Sequence, residues 1–171
     1  MRDYFLYTTR TRFSKWTEED LPLAMQLWGD PAVTKYICAA GRFTAEEVEE
    51  RLRVEMENEQ KYHVQYYPFF ERDKEELIGC CGLRPRTEGV YEVGFHLRRR
   101  YWGKGYATEA AGALVKYAFE VIGTDKLFAG HNPGNMGSGK VLEKLGFRCI
   151  GDEFYQPTGL YHPSYELFAR K

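Results

Sequence analysis

The segment from Val90 to Thr108 constrains this chain more than any other. Val90 to Leu97 alternates as a β-strand, Arg98-Arg99-Arg100 follows as a basic loop, and the next helix opens on Gly103 and Gly105. That helix is predicted from about Lys104 to Val121, with an apolar stripe of Ala107, Ala111, Leu114, Val115, Ala118, Phe119 and Ile122. A strand at Lys126 to Ala129 and a helix from about Met136 to Leu145 come next, so strand and helix alternate here.

Upstream, the pattern differs. A capping sequence at Thr17 to Asp20 opens a helix to about Trp28, and a short helical piece follows Asp30-Pro31. A capping box at Thr44 to Glu47 opens a charged helix ending near Asn58, whose charge run reads as a solvated face. Lys61 to Phe70, Glu76 to Leu83 and Val90 to Leu97 form a three-strand meander, with turns at Arg72 to Glu75 and Pro85 to Gly89. Phe147 to Phe154 and Ser164 to Ala169 close the chain as two strands. A meander followed by a β-α-β-α unit and a hairpin is an α+β arrangement with a mixed sheet.

With 171 residues and no repeat or linker, the expectation is one domain, 1–171. Aromatics at 16% supply a real core, and a net charge of -1 gives no global field for nucleic acid or an anionic membrane. No apolar run reaches the length of a membrane span, and Met1 to Leu6 lacks the pattern of a secretory signal, so the expected location is cytoplasmic. Cys80 and Cys81 are adjacent in a strand and point to opposite faces. With Cys38 and Cys149 they read as reduced thiols, and no metal site is expected.

The first backbone N–H groups of a helix have no internal partner and sit at the positive end of its dipole. Gly103 and Gly105 lack a Cβ, so an anion can come close to those groups, and Arg98, Arg99, Arg100 and Lys104 add charge beside them. A pyrophosphate suits this arrangement; the alternative is a plain tight turn beside solvated arginines. It is not a dinucleotide fingerprint, because Thr108 stands where the third glycine belongs. Gly134 to Lys140 has P-loop spacing, but Val141 replaces the Ser or Thr that would hold magnesium.

Arg100-x-x-Gly103-x-Gly105-Tyr106-Ala107, the Glu92-Val93-Gly94-Phe95 strand, and the run from Asn135 through Ser138-Gly139-Lys140 to Phe147 resemble the GNAT superfamily of acetyltransferases. The likeness is to its RimJ/RimL-type branch. It implies a mixed, mostly antiparallel sheet of six or seven strands, splayed at the middle and flanked by four or five helices. It also implies an acetyl-CoA-dependent N-acetyltransferase that moves an acetyl group to a primary amine by direct attack in a ternary complex. The amine would belong to a protein N-terminus or a small molecule, and the enzyme would be a monomer or homodimer.

By the same resemblance, Arg100, Gly103 and Gly105 hold the pyrophosphate of coenzyme A, with N–H donors from Trp102 and Lys104 through Tyr106, Ala107 and Thr108. The pantetheine lies in a gap beside Leu97, where a backbone N–H near Phe95 or Leu97 polarises the thioester oxygen. Strand alternation puts Glu92 and His96 on one face with a side-chain-free gap at Gly94 between them. Glu92 is read as the base that takes the amine proton, ahead of His96. A helix tyrosine that protonates the leaving thiolate in many relatives is replaced by Leu142, which leaves Ser138 as the nearest hydroxyl. Asn135 is expected to bond the pantetheine or cap its helix. Trp28, Tyr36, Tyr66, Tyr67, Tyr155, Tyr161 and His162 are candidates for the acceptor pocket. A non-catalytic acyl-CoA sensor on the same fold and a P-loop nucleotide-binding protein are the rival readings.

Overall fold

A computed structural model describes residues 1–170. Eight strands form one sheet: β1 (Leu6–Tyr7), β2 (Thr11–Phe13), β3 (Tyr66–Glu71), β4 (Leu77–Thr87), β5 (Val90–Leu97), β6 (Lys126–Gly130), β7 (Arg148–Tyr155) and β8 (Leu160–Phe168). Their order is β1-β2-β3-β4-β5-β6-β8-β7. Every neighbouring pair is antiparallel except β5 and β6, which run parallel. Five α-helices cover it: α1 (Leu21–Trp28), α2 (Pro31–Thr34), α3 (Ala45–Tyr62), α4 (Tyr106–Tyr117) and α5 (Met136–Lys144). The α+β fold expected from the sequence is present. The sheet exceeds the expected six or seven strands because β1 and β2 are only two and three residues long, too short to leave a periodic signal.

Alternation along the strands divides the interior in two. Tyr67, Phe69, Cys81, Val93 and Leu97 face the side of α4, where they pack with Ala110, Ala111 and Leu114. Tyr66, Phe70 and Cys80 face the other side, where they pack with Leu27 and Trp28 of α1 and Val48 and Leu52 of α3. Cys80 and Cys81 thus lie on opposite faces, and all four cysteines are free thiols.

Several boundaries move, and the closing strand expected from Ser164 already begins at Leu160. The charged helix α3 runs on to Tyr62, and the expected strand at Lys61 begins only at Tyr66. Gln60 and Lys61 are good helix formers, and the terminating left-handed residue is His63, φ 61°, where no glycine signals a stop. The turn expected from Pro85 shrinks to Glu88-Gly89, because β4 continues to Thr87 across a register shift. The long helix after the glycine loop ends its regular part at Tyr117 and finishes in one wider turn, Ala118–Ile122. The expected capping box of α3 forms: Thr44 accepts from Glu47 N–H at 3.2 Å, and Glu47 accepts from Thr44 N–H at 3.1 Å.

Candidate active site

Parallel pairing of β5 with β6 covers only Val90 to Glu92, opposite Lys126 to Phe128. Past Glu92 the two strands part, β6 staying with β8 and β5 with β4. Arg98 N–H donates to Ile78 O on the β4 side at 2.8 Å. Backbone groups alternate along a strand, so the N–H groups of Phe95 and Leu97 face the opening. Leu97 O, on that same edge, accepts from the Trp102 indole at 2.8 Å. A cleft of about 610 Å³ fills the split and extends past it.

The N-terminus of α4 stands at the mouth of the cleft. Gly103 and Gly105 both hold left-handed backbone, φ 71° and 81°, which a branched residue does not adopt without strain. Trp102, Gly103, Gly105, Tyr106, Ala107 and Thr108 line the cleft. Nothing lies within 4 Å of where a Gly103 Cβ would stand. Arg10 from the N-terminal hairpin donates to Lys104 O at 3.0 Å and stacks 4.1 Å over the Tyr106 ring, but its charge is paired with Glu109 and it does not line the cleft. Arg100 and Lys104 are absent from the lining. The Arg100 guanidinium pairs with Glu76 at 3.2 Å, so the expected pyrophosphate partner points elsewhere.

Across the split, Asn135 caps α5, its Oδ1 accepting from Ser138 N–H at 3.4 Å. Asn135 and Ser138 line the cleft. Leu142, one turn on, is buried in the core, so that turn sends no hydroxyl toward the cleft. The glycines of the P-loop-like run sit in or before ordinary helix: Gly137 and Gly139 belong to α5, and Gly134 is not left-handed. No loop is therefore free to wrap a phosphate there. Gly139 is needed for a different reason, since a Cβ would stand 2.9 Å from His131 Nε2.

Glu92 lies at the inner end of the split and lines the cleft. Burial pushes its carboxyl above the usual range, against the pull of Arg84 and Arg86. His96 shares that face, as the alternation implies, but its Nδ1 accepts from the Trp28 indole at 3.1 Å. Burial holds its imidazole well below the usual range, with Arg51 and Arg84 adding to the effect. A neutral ring that accepts at Nδ1 carries its proton on Nε2, which leaves it no free nitrogen to take another. The gap at Gly94 is filled: Tyr66 Oη sits 2.3 Å from where a Gly94 Cβ would be. Burial raises the Tyr66 hydroxyl far above its usual range, so it remains a neutral phenol.

Among the aromatic candidates, Tyr36, Tyr66, Tyr155 and His162 line the cleft. Trp28 and Tyr67 are core residues, and Tyr161 is exposed outside it. Sequence reading missed Arg51, Arg84 and Glu55. Glu55 sits in the run read as a solvated face, yet it is wholly buried, its Oε2 accepting from Arg51 at 3.0 Å and Arg84 at 3.4 Å. The available signal was its place three residues after Leu52 on the apolar stripe.

A sheet that opens between two parallel strands, with a bare helix end at the mouth and a buried carboxylate at the inner end, belongs to proteins that hold an extended anionic ligand beside a proton acceptor. The chain belongs to the GNAT acetyltransferase family: the model described as Acetyltransferase (GNAT) domain matches residues 10–148. It is similar to the uncharacterized N-acetyltransferase p20 of Bacillus licheniformis, 30% identical over 85% of this chain and 83% of that protein. It is also similar to the [ribosomal protein uS5]-alanine N-acetyltransferase of Escherichia coli, 29% identical over 50% of this chain and 46% of that one. A solved structure of RimL, a ribosomal L7/L12 alpha-N-protein acetyltransferase in complex with coenzyme A, shares the fold at a TM-score of 0.81 and 14% identity, covering 97% and 98% of the two chains. The protein is an N-acetyltransferase.

Proposed function

We propose that residues 1–171 act as one domain that moves the acetyl group of acetyl-CoA to a primary amine by direct attack within a ternary complex. The amine is that of a protein N-terminus or a small molecule. The observation that carries this reading is the split beside β5, with the Phe95 and Leu97 N–H groups on its edge and Glu92 at its inner end. The residues present fit coenzyme A: the open approach at Gly103 and the unpartnered edge of β5 suit a pyrophosphate and an extended amide-bearing arm.

Acetyl-CoA supplies a thioester whose C–S bond is exchanged for a C–N bond to the amine, the electron pair leaving on sulfur. Amides at the start of α4 bind the diphosphate. The N–H groups of Phe95 and Leu97 hold developing charge on oxygen, preorganised by the pairing of β5 to β4. Glu92 takes the proton of the acceptor amine. Ser138 gives a proton toward the departing side of the cleft, since Leu142 is buried.

Glu92→Gln and Ser138→Ala test these roles with acetyl-CoA and an amine panel. Losing a positioned base lowers kcat by about 100- to 10,000-fold, while coenzyme A affinity stays unchanged. Burial favours the protonated carboxyl, so the base form of Glu92 appears only above the usual carboxylate range. Activity should therefore rise with pH through that raised value, and Glu92→Gln should abolish this acid limb. Unchanged turnover in both variants removes the two residues from the mechanism, and coenzyme A binding without transfer by the native chain would leave only a sensor.

A further inference from the structure

The far end of the cleft, past Glu92, is lined by three guanidinium groups, those of Arg51, Arg84 and Arg86. Arg51 and Arg84 both line it and both lean on one carboxylate, that of Glu55. The other Glu55 oxygen accepts from the Tyr66 N–H at 3.1 Å. Arg86 is matched separately by Glu153, at 2.6 Å. Glu92 is the cross-strand neighbour of Arg84, yet no ion pair joins them. Arg84 turns toward Glu55 and lies 4.5 Å over the Tyr66 ring. Arg51 keeps a buried Nη2 with no hydrogen-bond partner. An orphaned charged donor is costly unless something polar reaches it.

Three guanidinium groups thus face three carboxylates, and one of those is Glu92. When Glu92 takes a proton, this end of the cleft carries one unmatched positive charge in a poorly solvated place. An acceptor that brings its own negative charge removes the imbalance. The walls also limit its size. The Tyr36 carbonyl accepts from Asn132 Nδ2 at 3.4 Å, and Ala39 N–H donates to the Pro157 carbonyl at 2.9 Å. The segment after α2 therefore bridges from the α5 side to the β7–β8 hairpin, walling this end of the cleft.

Resting on the acetyl-transfer reading above, we infer that the acceptor is a small primary amine carrying an oxyanion, its amine at Glu92 and its oxyanion on Arg51 and Arg84. Carboxylates and phosphates share this chemistry.

The test uses the full chain with acetyl-CoA and pairs of acceptors that differ only in charge. Amino acids are compared with their amides, phosphoethanolamine with ethanolamine, and an alanine-terminated peptide is run alongside. Removing the oxyanion should lower kcat/KM by roughly 10- to 100-fold, mostly through KM. Preference for the amino acids or for phosphoethanolamine tells which oxyanion is used. Arg51→Lys keeps the charge and loses the orphaned donor, and should raise KM for the charged acceptor while KM for its neutral partner stays put. The native-chain comparison stands even where that variant fails to fold. Equal kcat/KM within every pair, or a peptide acetylated better than any small oxyanion, overturns the inference while acetyl transfer stands. No transfer to any acceptor overturns it as well, and coenzyme A binding measured in the same samples then shows whether the acetyl-transfer reading falls too.

Discussion

Gly105 shows how much one backbone angle decides. Its φ of 81° starts α4 from the left-handed region, and an added Cβ would stand 3.4 Å from Arg10 Nη2. Gly105→Val should strain that turn by about 1–2 kcal/mol, lowering the melting temperature by roughly 2–8 °C. A branched side chain would also stand where the diphosphate approaches, so coenzyme A affinity measured by calorimetry should fall at least about tenfold. A folded Gly105→Val chain with native affinity would contradict the assigned cradle. The glycines were legible as residues, because no other type allows both the angle and the approach. Arg100 was not: its pairing with Glu76 depends on a carboxylate 24 positions away in the chain.

Among the elements, the short N-terminal hairpin is tied to α4 as well as to its sheet neighbour β3. Glu109, in the first turn of α4, accepts from Thr8 Oγ1 at 2.6 Å, Arg10 N–H at 2.9 Å and Arg10 Nε at 2.8 Å. Burial pushes its carboxyl up, but the bonds from Thr8 and Arg10 outweigh this and hold it below the usual range. A lowered carboxylate contributes stability above its unfolded value of about 4.3 and loses it as pH falls through the folded one. Glu109→Gln should therefore cost about 1 kcal/mol at neutral pH, after discounting for the partly exposed pair, or about 2–4 °C in melting temperature. The gap between variant and native melts should narrow as the solution is acidified below pH of about 4. Equal melts at neutral pH would show that the hairpin is held by other contacts. Neither β1 nor β2 was readable, since so few residues show no period; the glutamate that anchors them looks like any first-turn acid until the fold brings Thr8 and Arg10 to it.

Across the whole molecule, the site exists because β5 and β6 each keep to a different partner strand. β5 follows β4 through its full length, and β6 follows β8, so their common edge opens past Glu92. A ligand in that opening touches both halves and stabilises the folded chain by mass action. Coenzyme A at about 100 times its dissociation constant should add about 2.7 kcal/mol, a rise of roughly 5–10 °C in a thermal melt. ATP at the same concentration should leave the melt unmoved, because Gly137 and Gly139 are helical and wrap no phosphate. Equal stabilisation by ATP would contradict this. The order of elements, the glycine loop, the alternation that pairs Glu92 with His96 and the opposite facing of Cys80 and Cys81 are all local matters of period and chain stiffness, and the residues reveal them unaided. Which hydrogen bonds each charged group makes is a matter of distant neighbours. Folding buried Glu55 between Arg51 and Arg84, engaged His96 with Trp28, and filled the space above Gly94 with Tyr66. Periodicity records which way a side chain points, and only the packed chain decides what it meets.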